Sequence, residues 1–232
     1  MRTLIISDVH ANPVALKGVL DENAGLKVVF LGDVTGYGYD PVECIRLLKA
    51  AKAEHLLGNH DVVALTPDEK LSIWDKLNSH YAMDRVQGAI MLKDAEREWI
   101  RGGGWVYEGG TFAAAHGDFT SPAAFEYIDS VVAAAANFNS RPEQLMFVGH
   151  THESCVWVKT AKGKVERREF KSFTLRDGWR YIVNVGSVGY PRADGVTTYC
   201  IYDAETRQVK CCRRQFDFES FKAGIQRITD AL

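Results

Sequence analysis

The sequence has no stretch close to the roughly 18 consecutive apolar residues of a membrane helix. Its longest small-apolar run, 131–136, is far too short. No membrane partner is expected. No signal peptide is expected either, because the apolar Thr3-Leu4-Ile5-Ile6 is broken at once by Ser7, Asp8 and His10. Cysteine is scarce and unpatterned. The five residues, at 44, 155, 200, 211 and 212, are odd in number and form no Cys-x-x-Cys. That excludes a thiolate zinc motif, disfavours a disulfide framework and fits a cytoplasmic location. An excess of positive charge is also missing: 28 Lys+Arg stand against 30 Asp+Glu, a formal net charge of −2. A nucleic-acid partner held by bulk charge is therefore not expected, and the basic stretch 159–171 reads as a solvated hairpin face.

At 46% apolar and 25% charged residues the chain has the composition of an ordinary globular protein. A length of 232 residues suits one domain, 1–232, with room for an insertion. The first 60 residues alternate. Residues 2–7 form a buried strand, and Asn12-Pro13 caps a helix to about Glu22. Residues 27–31 form a second strand, a helix starts at Pro41 with Cys44, Leu47, Leu48 and Ala51 on its inner face, and 54–57 is a third strand. This β-α-β-α-β order predicts a parallel sheet covered on both faces. Residues 62–108 hold no convincing strand. They read as a helical cap insertion with helices over 67–77 and 89–100, ended by Gly102-Gly103-Gly104. Strands are then predicted at 111–115, 144–148, 155–160, 165–173, 180–185, 197–202 and 208–216, with a hairpin turn at 161–163. A last helix carries Phe218, Phe221, Ile225, Ile228 and Leu232 as a core-facing stripe.

Five polar clusters each follow a predicted strand: Asp8-Val9-His10, Gly32-Asp33, Gly58-Asn59-His60-Asp61, His116-Gly117 and Gly149-His150-Thr151-His152. Ligands of open α/β sheets bind beyond the carboxyl ends of the strands, so all five are expected to converge on one edge of one sheet. Asp-x-His and His-x-His put both side chains on one side of an extended backbone. Asp8, Asp33, Asn59, His10, His116, His150 and His152 then form a nitrogen and oxygen ligand set without thiolate, suited to Mn, Fe, Zn or Co. Seven such groups are too many for one ion and enough for two that share a carboxylate. The adjacent Gly32, Gly58, Gly117 and Gly149 allow sharp turns and close backbone approach. His55 and His80 fall outside the clusters and read as a sheet residue and a helix-surface residue without function. Asn12 reads as a helix cap.

In their order these clusters resemble the calcineurin-like metallophosphoesterase superfamily, over residues 1 to about 192. Asn12 with Ala15 and Leu16, Gly36-Tyr37-Gly38, and Asn184-Val185-Gly186-Ser187-Val188-Gly189 with Pro191-Arg192 are similar to its small prokaryotic branch. The one departure is Val185, where relatives often carry Pro, and it touches no ligand. The resemblance implies a four-layer α/β/β/α sandwich and two divalent transition-metal ions, with manganese first and Fe, Zn, Ni or Co as alternatives. One ion would be held by Asp8, His10, Asp33 and His152, the other by Asp33, Asn59, His116 and His150, with Asp33 bridging. It further implies that His60 assists the leaving group and that Asp61 orients His60. The expected activity is hydrolysis of phosphate mono- or diesters by a metal-activated hydroxide. Monoester and diester chemistry use the same ligands, so the cover over the metals decides. The 62–108 insertion favours a small phosphoester of the nucleotide or dinucleoside polyphosphate type over a phosphoserine/phosphothreonine protein phosphatase. Tyr37, Asn59 and Arg192 are the candidate substrate-binding residues. A non-catalytic scaffold of the same fold should have broken this ligand set, which is intact here. A homodimer is left open.

Overall fold

The computed structural model describes residues 1–192 and 195–230. Two six-stranded sheets form its centre. The first contains β1 (Arg2–Ile6), β2 (Lys27–Phe30), β3 (Glu54–His55), β11 (Val196–Asp203), β12 (Gln208–Gln215) and β9 (Phe173–Thr174). Their spatial order is β3-β2-β1-β11-β12-β9. The second contains β4 (Val106–Glu108), β5 (Ala113–Ala115), β6 (Leu145–Val148), β10 (Arg180–Asn184), β7 (Cys155–Lys159) and β8 (Val165–Arg168), in that order across the sheet.

Side-chain alternation shows how the layers stack, because successive residues of a strand face opposite sides. Leu4 and Ile6 of β1 pack with Leu16 and Val19 of α1 (Pro13–Glu22) and with Cys44, Ile45 and Leu48 of α2 (Pro41–Ala50). Ile5, between them, faces the other way and joins Phe147, Val156, Val158 and Val183 in the core between the sheets. The remaining face of the second sheet, with Met146, Trp157 and Ile182, is covered by Ala134 and Phe138 of α7 (Val131–Ser140). The layers are therefore helix, sheet, sheet, helix, as the resemblance implies.

The initial β-α-β-α-β reading holds, with β1, β2 and β3 parallel. Both helices start as the sequence indicates, since Asn12 accepts from the Ala15 N–H and Asp40 from the Glu43 N–H, each ahead of a Pro. Convergence on one edge of one sheet does not hold. Three clusters end strands of the first sheet, and the other two end β5 and β6 of the second.

Between β3 and β4 the chain is mostly helical but more broken than expected. It runs through α3 (Asn59–Leu65), a 3₁₀ turn, α4 (Ile73–Leu77), a second 3₁₀ turn (Ser79–Tyr81), α5 (Ala82–Val86), a π turn (Gln87–Met91) and α6 (Asp94–Arg101). The strand β4 lies within the stretch expected to have none. The glycine triplet returns the chain to the sheet edge, where the Leu57 N–H donates to Gly104 O. The aromatic stripe of α8 (Phe218–Thr229) is only partly buried: Phe218 is 49% exposed and Phe221 packs on Tyr39, Tyr190 and Phe216. Leu232 lies outside the described residues. Among those residues no helix is long and apolar enough to cross a membrane.

Candidate metal centre

The loops after β1, β2, β5 and β6 meet where the two sheets end. Hydrogen bonds stitch them together: Asp8 N–H to Gly32 O, His10 N–H to Asp33 O, and Gly149 N–H to His116 O. The His150 N–H donates to the Asp8 carboxylate at 3.0 Å, linking the first sheet's loop to the second's. The Asn184–Gly189 loop braces the junction. Asn184 donates to Gly149 O, Ser187 Oγ donates to Asp8 O, and the Gly189 N–H donates to Asp8 O. Asn12, besides its capping bond, donates to Gly189 O.

The polypeptide bends hard to bring these side chains in. Asp8, His10, Asp33, His150 and His152 all have positive φ, between 44° and 68°. Non-glycine residues seldom adopt this region, and strain of this kind concentrates where a surrounding structure enforces it. Gly58 is needed for closeness, because a Cβ there would lie on the Asp33 carboxylate.

The seven expected ligand residues come together. His152 Nε2 is 3.1 Å from Asp8 Oδ1, and His10 Nε2 is 3.7 Å from Asp8 Oδ1 and 3.8 Å from Asp33 Oδ2. His116 Nε2 is 3.2 Å from Asp33 Oδ2 and 3.1 Å from Asn59 Oδ1. Groups able to hold a metal ion form around Asp8, His10 and His152, around Asp33, His116 and His150, and around His10, Asp33 and His60. All of these are buried.

Hydrogen bonding fixes which atoms face inward. His10, His116 and His152 each place Nδ1 2.7–2.9 Å from a backbone carbonyl, of Thr35, Leu31 and Tyr190 respectively. A carbonyl only accepts, so each Nδ1 carries a proton and each Nε2 is turned inward. Burial disfavours the charged His116 ring, but the Asp33 carboxylate beside its Nε2 outweighs it and raises its pKa to about 9. His10 Nε2 and His152 Nε2 stand 2.9 Å apart. Burial, together with the neighbouring His152 and His60, lowers the His10 pKa to about 4 against the pull of Asp8 and Asp33, so that ring is neutral at pH 7. Burial likewise pushes His150 down to about 3. Asp8 Oδ1 and Asp33 Oδ2 are buried and accept no hydrogen bond. Inward-facing ring nitrogens and orphaned carboxylate oxygens at one point are the chemistry of a cation site.

His60 and Asp61 depart from expectation. Asp61 does not touch the His60 ring. Its carboxylate accepts from the backbone N–H groups of Asp33, Val34, Thr35 and Gly58, at 2.8–3.2 Å. The reason is local geometry: both residues sit in α3, where neighbours in sequence point about 100° apart. The partner of His60 is Asp84 of α5, with Nδ1 and Oδ2 2.8 Å apart. Burial disfavours the charged ring, but Asp33 and Asp84 outweigh it and raise the His60 pKa to about 9.

Tyr37, Asn59, His60, Tyr127, Tyr190 and Arg192 line a cleft of about 630 Å³. Tyr37 stacks on Tyr190 with ring centroids 4.3 Å apart and lies 4.8 Å from His60, while Tyr127 stacks on His150. His80, expected to be idle, lines the same cleft and meets the Tyr37 hydroxyl at 3.4 Å. His55 is a sheet residue as expected, stacked on Trp99. Asp84, Tyr81, Tyr127 and Tyr190 were not legible as site residues, because no local motif marks them and only long-range folding brings them in.

Comparison with known proteins agrees with this fold. Residues 1–207 match the model of the calcineurin-like phosphoesterase superfamily domain. An uncharacterised protein of Methanocaldococcus jannaschii is 30% identical over 225 residues, covering 93% of this chain and 88% of that protein. The crystal structure of a metallophosphoesterase from Sphaerobacter thermophilus superposes with a TM-score of 0.83 at 29% identity, covering 99% of this chain and 95% of that one. A hypothetical protein from Pyrococcus horikoshii gives a TM-score of 0.75 at 18% identity, covering 98% and 93%.

Proposed function

Because the chain belongs to the calcineurin-like phosphoesterase superfamily, we propose that it hydrolyses small-molecule phosphate esters at a centre of two divalent cations. Asp8, His10, Asp33 and His152 would hold one cation, and Asp33, Asn59, His116 and His150 the other. The observation that carries this reading is the convergence of the His10 and His152 Nε2 atoms, 2.9 Å apart, beside orphaned carboxylate oxygens. Bound there, two divalent cations supply Lewis acidity toward phosphoryl oxygens and acidify water. The family resemblance makes manganese the first choice, and the nitrogen and oxygen donor set equally admits Fe, Zn, Ni and Co.

The chain's own residues do the rest. His60, with Nδ1 held by Asp84, keeps Nε2 for the leaving-group oxygen. Arg192 stands at the cleft wall, where a guanidinium can grip a phosphate through two N–H groups. The aromatic faces of Tyr37, Tyr190 and Tyr127 suit a planar group such as a nucleobase, and about 630 Å³ is the size of a small-molecule site.

The test is a substrate panel of monoesters, diesters, dinucleoside polyphosphates and a phosphopeptide, assayed with Mn and after exhaustive chelation. Turnover of small esters that disappears on chelation is expected, and His60→Gln should lower it by about 10²–10⁴-fold while metal content is kept. Preference for the phosphopeptide would make the protein a protein phosphatase. No turnover with any member would make it a scaffold.

A further inference from the structure

The helical segment between β3 and β4 does more than lie over the cleft. Tyr81, Asp84 and Gln87 stand at i, i+3 and i+6 of the continuous turns formed by Ser79–Tyr81, α5 and the start of the π turn. That spacing puts them on one face. Each grips a different part of the site. The Tyr81 hydroxyl accepts from Asn59 Nδ2 at 3.1 Å, which leaves Asn59 Oδ1 turned toward His116. Asp84 accepts from His60 Nδ1 at 2.8 Å and is fully buried. Gln87, also fully buried, accepts from the Gly36 N–H at 2.8 Å and donates to Gly38 O at 3.0 Å, bracketing Tyr37. A Cβ on Gly36 would lie 2.6 Å from His60 Nδ1 and 2.7 Å from Asp84 Oδ1, so that glycine keeps the contact open.

We infer that this face of the inserted helical segment is the positioning element of the site. Asp84 sets the tautomer and direction of the His60 ring, Tyr81 sets which end of the Asn59 amide faces the ligand cluster, and Gln87 sets the loop that carries Tyr37. Asn59 and His60 open α3, directly after β3, and Tyr37 lies in the loop after β2. An Asn amide can present either end, and an imidazole either nitrogen. The two contacts remove both ambiguities before substrate arrives, which is what preorganisation requires.

The inference rests on the proposed hydrolytic function, and two readouts keep the two apart. The first is the leaving-group dependence of Asp84→Asn turnover with Mn. An ester with a poor alkoxide leaving group needs the His60 proton, whereas 2,4-dinitrophenyl phosphate does not. The variant should lose about 10²-fold or more on the alkyl ester and little on the dinitrophenyl ester, with KM little changed. Equal loss on both, or no loss, overturns the positioning role of Asp84 and leaves the hydrolytic function standing. The second needs no activity. In the metal-free protein a slowly exchanging, low-field ring N–H proton of His60 should be present in wild type and missing in Asp84→Asn. Its absence from wild type overturns the dyad, whereas its presence in a wild-type protein inactive on every ester overturns the hydrolytic function alone. Tyr81→Phe, a milder change, should weaken Mn binding at one of two sites by calorimetry while His60 keeps its proton signal. Unchanged affinity at both sites overturns the role of Tyr81.

Discussion

At the scale of residues, the site is made by backbone bent against its own preference and by side chains committed on one edge so that the other is free. The candidate ligands were legible in the sequence, because five polar clusters each follow a predicted strand and their joint occurrence leaves little room for chance. The strain was less legible, although Asp and His are among the non-glycine residues that tolerate positive φ best. Asp61 shows where a resemblance misleads. The resemblance implied that Asp61 orients His60, but one helical step turns the carboxylate back onto the loop after β2, where it accepts three backbone N–H groups, with a fourth from Gly58. Removing an acceptor from buried donors costs about 1–3 kcal/mol for each group left unsatisfied. Asp61→Ala should therefore destabilise the fold by at least ~3 kcal/mol in urea unfolding, even with some relaxation. A change below about 1 kcal/mol would contradict this structural role of Asp61.

At the scale of elements, period-two and 3.6-residue patterns marked most strands and the helices α1 and α2. They did not mark which sheet a strand joins. That depends on pairings between distant segments, such as β1 with β11 and β10 with both β6 and β7, and such partners leave no trace in a local window. β4 was missed because it is a three-residue edge strand, only half-buried. The segment between β3 and β4 was read as helical and is so, but its breaks at Pro67 and Asn78 place Tyr81, Asp84 and Gln87 in ways periodicity does not foretell. The layer assignment has its own test. Phe147 is fully buried between the sheets, so Phe147→Ala should cost about 3–5 kcal/mol by chemical denaturation. Trp74 on α4 is 79% exposed, and Trp74→Ala should stay within about 0.5 kcal/mol. Equal effects would contradict the assignment of core and surface.

At the scale of the whole molecule, two sheets bring their carboxyl ends to a common point, and neither alone carries the ligand set. Asp8, His10, Asp33 and Asn59 come from the loops and helix start of the first sheet, and His116, His150 and His152 from those of the second. A bare chain of net charge −2 thus buries two carboxylates beside inward-facing imidazoles, an arrangement that favours cations first and a phosphate anion after them. The proposed bridging role of Asp33 is the hinge of this account, because both proposed ligand sets include it. The most direct measurement is therefore the metal content of the purified chain after equilibration with Mn and removal of free ions. The account predicts two ions per wild-type chain and fewer than one in Asp33→Asn with the fold intact by circular dichroism. One ion or none in wild type, or two retained in Asp33→Asn, would contradict it.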